Sequence, residues 1–367
     1  MNVYVIGLAI HPAKLREDTL RLEEMAYHTS KAALDNAGVT RRQLDSVTLG
    51  ACDELDGRPI SSMLMTAPAG GFNTDEIKVT ESSGTALCLA YARFLAGESQ
   101  LGLVVSWCKS SKTDIEAVMR LRGDPFFTRP LGMGAAMSDG LFAQAVAGER
   151  GISGEEIANR TVNAYQRASL NPRGIGHAIP TLDDVMASPY EALPVRTSHR
   201  APYTDGAVSL VLATEQFLAG NRDVRPLARI AGAGWATDSY RMDRDRLRKM
   251  ASARASWASA LKQAGLRSAA DLDVIELESP TAYHEAAYTR AFGIEDEARV
   301  SPSGGTFAQN PLFCTGLVNA AEAVLQISGN AGGVQRQNVK RAAAHCCHGY
   351  AQQGNVVVVF EHAGEQA

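Results

Sequence analysis

Ala33-Leu34-Asp35-Asn36-Ala37-Gly38-Val39, followed by Leu44-Asp45-Ser46-Val47, returns as Ala260-Leu261-Lys262-Gln263-Ala264-Gly265-Leu266, followed by Leu272-Asp273-Val274-Ile275. The offset is 227 residues, drifting to 228. Upstream, Tyr4-Val5-Ile6-Gly7-Leu8-Ala9 is echoed by Arg229-Ile230-Ala231-Gly232-Ala233-Gly234. Each copy reads as a strand, a glycine-containing turn, a long amphipathic helix ending at Ala-Gly, a short connector and a second strand. Two copies in a chain of 367 residues imply two similar half-domains rather than an array. The expected halves are residues 1–220 and 226–367, joined by the linker Asn221–Pro226.

Outward from the repeat, strands alternate with helices, which argues for helices packed on mixed sheets. In the first half, strands are expected at 3–8, 47–49, 77–79, 101–105 and 208–212, with helices at 18–37 and 84–95. The second half reads as strand 228–233, helix 243–264, strand 273–277, helix 315–327 and strand 355–361. Residues 108–200 break the rhythm with Gly123-Asp124-Pro125, Asn171-Pro172-Arg173-Gly174 and Ser188-Pro189. They read as a long excursion holding helices near 134–147 and 154–168.

Bulk properties narrow the function. Hydrophobic residues make up 45% and charged residues 21%, ordinary for a globular protein. The net charge of −4 gives no nucleic-acid footprint, and no apolar run reaches membrane-spanning length. The N-terminus lacks the basic-then-apolar order of a signal peptide. Six cysteines without CxxC spacing read as free thiols. The expectation is a cytoplasmic protein with no metal of its own.

Several motifs then fall in a recognisable order. Ala201-Pro202-Tyr203-Thr204-Asp205-Gly206-Ala207 follows the excursion. Gly304-Gly305 precedes Asn310-Pro311 and Gly316, and Cys346-Cys347-His348-Gly349 precedes Gly354 and the last strand. With the duplication, these resemble the thiolase superfamily along essentially the whole chain. Asp53-x-x-Asp56-Gly57-Arg58, Pro68-Ala69-Gly70-Gly71 and Ala344-His345-x-x-His348-Gly349 are most similar to its sterol-carrier-type and benzoylsuccinyl-CoA-type branch. The resemblance implies an α/β fold: a duplicated five-layered αβαβα sandwich with residues 108–200 as an inserted loop domain. It also implies a homodimer, a zinc-ribbon/OB-fold partner subunit, acyl-CoA substrates, and coenzyme A as co-substrate with no permanently bound cofactor.

Two departures bear on chemistry. Thiolases place a nucleophilic cysteine at a helix start, where the dipole lowers a thiol pKa. Here the stretch is Val79-Thr80-Glu81-Ser82-Ser83-Gly84, so Thr80 or Glu81 takes that place. Asn310 stands where the family has a histidine; it can donate a hydrogen bond but carries no proton. Cys88, seven residues beyond Glu81 on nearly the same helix face, is the expected nucleophile, its alternative being a core thiol. His348 is its expected base, with His345 as competitor, and Cys347 matches the family's acid/base cysteine. Asn310 is expected to hold an oxyanion with the Gly305 and Gly349 amides. Glu81 and Glu278 are unusual acids expected to touch substrate, although a helix-start acid is the simpler account of Glu81. Arg120, Arg122, Arg129, Arg173, Arg196 and Arg200 are basic residues available to coenzyme A phosphates.

The first functional expectation is an acyltransferase in which Cys88 carries the acyl group, turning a β-keto acyl-CoA and coenzyme A into two acyl-CoAs. The alternatives are an aldolase without an acyl-enzyme, in which Tyr203, Tyr283 or Tyr350 shares proton transfer, and a non-catalytic subunit scaffolding a partner.

Overall fold

The computed structural model describes residues 1–364. In chain order its strands are β1 (Val3–Ile10), β2 (Ser46–Gly50), β3 (Asp75–Val79), β4 (Leu101–Lys109), β5 (Tyr190–Ala192), β6 (Val195–Arg196), β7 (Asp205–Thr214), β8 (Ala228–Thr237), β9 (Val274–Glu276), β10 (Arg341–His348) and β11 (Gly354–Glu361). Helices of eight or more residues are α1 (Leu22–Ala37), α2 (Ser83–Leu95), α3 (Ile115–Arg122), α4 (Ala135–Arg150), α5 (Gly154–Ser169), α6 (Ala251–Gln263), α7 (Ala282–Ala291) and α8 (Thr315–Ser328).

Among the described residues the main sheet runs β3-β2-β4-β7-β1-β8-β11-β10-β9. The order is palindromic about the β1–β8 junction: β1 answers β8, β7 answers β11, β4 answers β10 and β2 answers β9. The repeated sequence works the same way in both copies. A Cβ on Gly7 would lie 2.6 Å from Ala37 Cβ, and a Cβ on Gly232 2.9 Å from Ala264 N, so each helix rests on a bare strand backbone. Asp45 accepts hydrogen bonds from the Gln100 and Leu101 amides, and Asp273 from the Lys340 and Arg341 amides. The repeated Leu-Asp is thus the latch tying each connector to the strand beside it.

Three apolar cores separate five layers. One joins α1 to the outer face of the first half-sheet through Met25, Ala33 and Leu34. A second holds α6 and α7 on the second half-sheet through Trp257, Leu261 and Tyr288. Between the half-sheets lie α2 and α8, with Leu87, Phe94, Leu317 and Val324 in the shared core. Helix α8 is buried almost all round, the signature of a helix in an inner layer. The two half-sheets are not separate stacks, because Tyr4 pairs with Arg229 and Val5 with Ala228. The helix expected over 243–264 is also broken: Met250 takes a left-handed conformation (φ 48°) between Arg244–Lys249 and α6.

The excursion carries α3, α4, α5 and the β5–β6 ribbon, then returns to the sheet along β7. A bidentate ion pair ties it down. Arg173 donates to Glu322 on α8 at 2.9 and 2.6 Å, and Glu322 also accepts from the Asn171 and Gln309 amides. No helix among the described residues is long and apolar enough to cross a membrane.

The central layer is tightest where α2 and α8 begin. A Cβ on Gly84 would sit 2.7 Å from Cys346 Cβ, and one on Gly316 2.5 Å from the same atom. Gly316→Ala is expected to destabilise the fold by about 1–3 kcal/mol through overpacking, measured by urea unfolding; a variant as stable as the parent would show that this contact is loose.

Candidate active site

Above these two helix starts lies a cavity of 440 Å³. Thr80, Glu81 and Ser82, leading into α2, form one wall, and Asn310, Leu312 and Phe313, leading into α8, another. The end of β10 (Cys346–His348) with Gly349 closes it from the second half, while α3 and the start of α4 cover it from the excursion. Two helix N-termini therefore face one space, an arrangement that favours negative charge developing there.

Ser82, rather than Glu81, caps α2: its hydroxyl accepts from the Thr85 amide at 3.1 Å. This corrects the helix-start account of Glu81, whose carboxylate is left to face His348, with Oε1 lying 3.4 Å from Nε2. Burial lowers the His348 pKa, Glu81 opposes that shift, and the Arg122 guanidinium lowers it further. Arg122 lines the same cavity and is held by the Cys52 sulfur at 2.6 Å. His348 is thus a neutral imidazole at neutral pH, able to take a proton, and Glu81 can stabilise the imidazolium that results. The ring lies over Gly354, its antiparallel neighbour on β11, where a Cβ would collide with it.

Asn310 is fixed from three sides. Its backbone amide donates to Thr204 Oγ1 at 3.1 Å, its side-chain amide to the Ala201 carbonyl at 3.2 Å, and its side-chain oxygen accepts from Thr315 at 3.3 Å. Among the described residues only one of its two side-chain amide hydrogens is taken, and the other is available to a ligand oxygen. Glu278 also lines the cavity and accepts from the Cys347 amide at 3.3 Å. The Cys346 and Cys347 thiols sit beside it, and burial raises both far above the ordinary thiol range. Gly349 lines the cavity with φ 75°.

The structure does not bring Cys88 to this site. It is fully buried in the core between the half-sheets, does not line the cavity, and its thiol is pushed up strongly by burial and by Glu81. The physical reason is depth: seven residues along a helix is about 10 Å, enough to carry the side chain from the cavity wall into the central layer. Gly305 is likewise buried away from the cavity, in the turn Gly305–Ala308, where its amide donates to Ser303 Oγ at 3.0 Å. His345 packs against the Tyr288 ring and contacts Asn355 Oδ1 at 2.9 Å; burial lowers its pKa to about 4. Of the tyrosines, Tyr283 is in the core behind the cavity and the Tyr350 hydroxyl faces the Met119 and Met133 carbonyls. Tyr203 lines the cavity, its hydroxyl raised to about 12 by burial.

A polar pole escaped the sequence reading. Asp139 on α4 and Arg200 pair at 2.7 Å in the cavity wall, and Arg200 also holds Glu191 at 2.7 Å. Arg200 is one of the six basic residues available to coenzyme A phosphates; its two carboxylate partners make it the tie between α4 and the ribbon. Asp139 gives no motif at sequence level, since its partner is 61 residues away.

Two buried carboxyls make stability depend on pH. Burial raises Glu276 and Glu278 to about 8 from an ordinary 4.5. A raised carboxyl binds its proton more tightly in the folded chain. The stability it confers is therefore complete below pH 4.5 and is lost as pH climbs towards 8. Glu276→Gln is expected to flatten the decline of unfolding free energy between pH 5 and 8, measured by denaturant titration; an unchanged slope would show that Glu276 ionises normally.

No family model matches the sequence. The chain is 28% identical over 215 residues to an acetyl-CoA acetyltransferase of Methanothermobacter thermautotrophicus, a match spanning 54% of this chain and 56% of that relative. It is 23% identical over 380 residues to sterol carrier protein 2 of Gallus gallus, covering 94% of this chain and 69% of that one. Among solved structures, human mitochondrial 3-ketoacyl-CoA thiolase in complex with CoA is similar with a TM-score of 0.79 at 18% identity, covering 99% of this chain and 98% of the other. The Ltp2-ChsH2(DUF35) aldolase is similar with a TM-score of 0.80 at 16% identity, covering 100% and 99%.

Proposed function

We propose that the chain is a member of the thiolase superfamily and that it makes or breaks a carbon–carbon bond beside a coenzyme A thioester by proton transfer, without an acyl-cysteine. The observation that carries this reading is the Glu81–His348 pair. A carboxylate and a neutral imidazole face the cavity at the helix start where thiolases place their nucleophilic cysteine. Glu81 cannot carry an acyl group as a thioester, and Cys88 is out of reach in the core.

In the cleavage direction, a 3-hydroxyacyl-CoA would enter with its hydroxyl at His348. The imidazole would take the hydroxyl proton, the carbon–carbon bond would break, and a ketone or aldehyde would leave a thioester enolate. The free amide hydrogen of Asn310 and the two helix N-termini favour that negative charge. The apolar wall of Ile115, Val118, Leu312 and Phe313 suits the hydrocarbon part of the acyl group. An acyl-cysteine route would have to use Cys346 or Cys347, thiols that burial holds protonated.

The test is product analysis. With 3-hydroxyacyl-CoA probes, a free carbonyl compound and a shortened acyl-CoA are expected in equal amounts without added coenzyme A. Cleavage of 3-ketoacyl-CoA that depends strictly on added coenzyme A would instead establish the acyltransferase reading.

The solved aldolase named for Ltp2 and ChsH2(DUF35) supports a similar assembly here: a pair of these chains with a zinc-ribbon/OB-fold subunit. The half-exposed β3 ends the main sheet, an edge that proteins protect by pairing or covering. Analytical ultracentrifugation at micromolar concentration is expected to give a dimer; a monomer would remove the pairing.

A further inference from the structure

Glu278 has the surroundings of an acid rather than of a carboxylate. The residue is 7% exposed, and it lines the cavity. No lysine, arginine or histidine among the described residues forms an ion pair with it. Its partners are the Cys347 amide, at 3.3 Å, and the neighbouring Cys346 thiol. The titratable groups packed around it are Cys346 and Cys347 on β10, Tyr288 on α7 and Cys314 ahead of α8, with Asp139 further along the wall. None of these supplies a positive charge. A carboxyl so placed keeps its proton and presents an O–H to the cavity. Across the same cavity, His348 is held neutral with a carboxylate beside it.

We propose that Glu278 is the general acid of this site, a neutral carboxyl group that protonates the thioester enolate which His348 helps to generate. The inference rests on the reading under Proposed function and assigns the second proton transfer of that reaction. His348 takes the β-hydroxyl proton, and the O–H electron pair becomes the new carbonyl π bond. The Cα–Cβ bond breaks and its pair becomes the enolate. Glu278 then gives its proton to Cα, which completes the acyl-CoA and leaves a Glu278 carboxylate and a His348 imidazolium. Solvent returns the proton from the imidazolium to the carboxylate, so the cycle closes without another reactant. In the condensing direction the same two groups exchange roles.

Two measurements on the full-length protein test this. The first is exchange of the methyl hydrogens of acetyl-CoA for deuterium in heavy water, followed by mass spectrometry across pH. Exchange begins with the same step run backwards, in which the Glu278 carboxylate takes a methyl proton, so the rate is expected to climb with pH and to level off above about pH 8. Glu278→Gln, which keeps size and hydrogen bonding but can neither take nor give a proton, is expected to exchange about 10²-fold more slowly and to lack that limb. Glu278→Asp is expected to recover part of the rate and a limb of its own. Exchange by Glu278→Gln at the parental rate with the limb intact would overturn the proposal. The second is difference infrared spectroscopy of protein labelled with carboxyl-13C glutamate, comparing parent with Glu278→Gln. A protonated-carboxyl band missing from the variant and vanishing above about pH 8 is expected, while the Glu276 band persists in both. Absence of any Glu278 band at neutral pH would overturn the proposal regardless of turnover. If the band is present but the enzyme exchanges no hydrogens, it is the carbon–carbon reading that fails.

Discussion

His348→Asn is expected to lower the rate of carbon–carbon cleavage by about 10²–10⁴-fold, the usual worth of a positioned general base, with little change in stability. The side chain ends at the cavity, 14% exposed, and its partner Glu81 is 37% exposed, so its loss leaves no buried charge behind. Glu81→Gln removes the charge that stabilises the imidazolium and is expected to cost a comparable factor. Because the two act as a unit, the double variant should be scarcely slower than either single one. The acid limb of the parental pH–rate profile should lie below the ordinary histidine pKa of 6.5, since burial and Arg122 both push His348 down. Steady-state kinetics on purified variants checks all of this. Additive losses in the double variant would show that Glu81 and His348 act separately.

Glu322→Ala is expected to give the largest loss of stability, about 3–5 kcal/mol by denaturant unfolding, because it strands the partly buried Arg173 charge without its partner. The same carboxylate accepts from the Asn171 and Gln309 amides, so three groups lose their acceptor together. Gln309 precedes Asn310, and Asn171 precedes the loop that leads back to the sheet. The variant is therefore also expected to lose turnover beyond what its unfolded fraction explains. Arg173→Met, which removes the charge while keeping the length of the chain, should recover much of the stability when combined with Glu322→Leu. Failure of that pair would show that the polar network sets the geometry, and not only the charge balance.

The duplication could be read from sequence because its causes are local. Gly7 and Gly232 must be bare for Ala37 and Ala264 to approach, and Asp45 and Asp273 must accept from two adjacent amides. Such demands write the same residues twice. The site was only partly legible. His348, Cys347, Asn310, Gly349, Glu81 and Glu278 all reach the cavity, yet their partnerships do not follow from spacing. Glu81 and His348 lie 267 positions apart in the chain, and nothing near either residue signals the other. Cys88 was misread because helical spacing reports the face of a helix but not its depth. The same face that meets the cavity at Glu81 meets the central apolar core two turns later. Asp139 and Arg200 went unpaired at sequence level for the same reason as Glu81 and His348: the excursion folds back before they meet.

The most direct test of the central claim is intact-protein mass spectrometry during turnover of an acyl-CoA substrate, paired with the kinetics of Cys88→Ala. The account predicts no acyl adduct on any of the six cysteines and a Cys88→Ala enzyme that turns over at the parental rate. A substrate-derived acyl mass mapped to any cysteine, Cys346 and Cys347 in the cavity wall included, or abolished turnover in a folded Cys88→Ala variant, would contradict it.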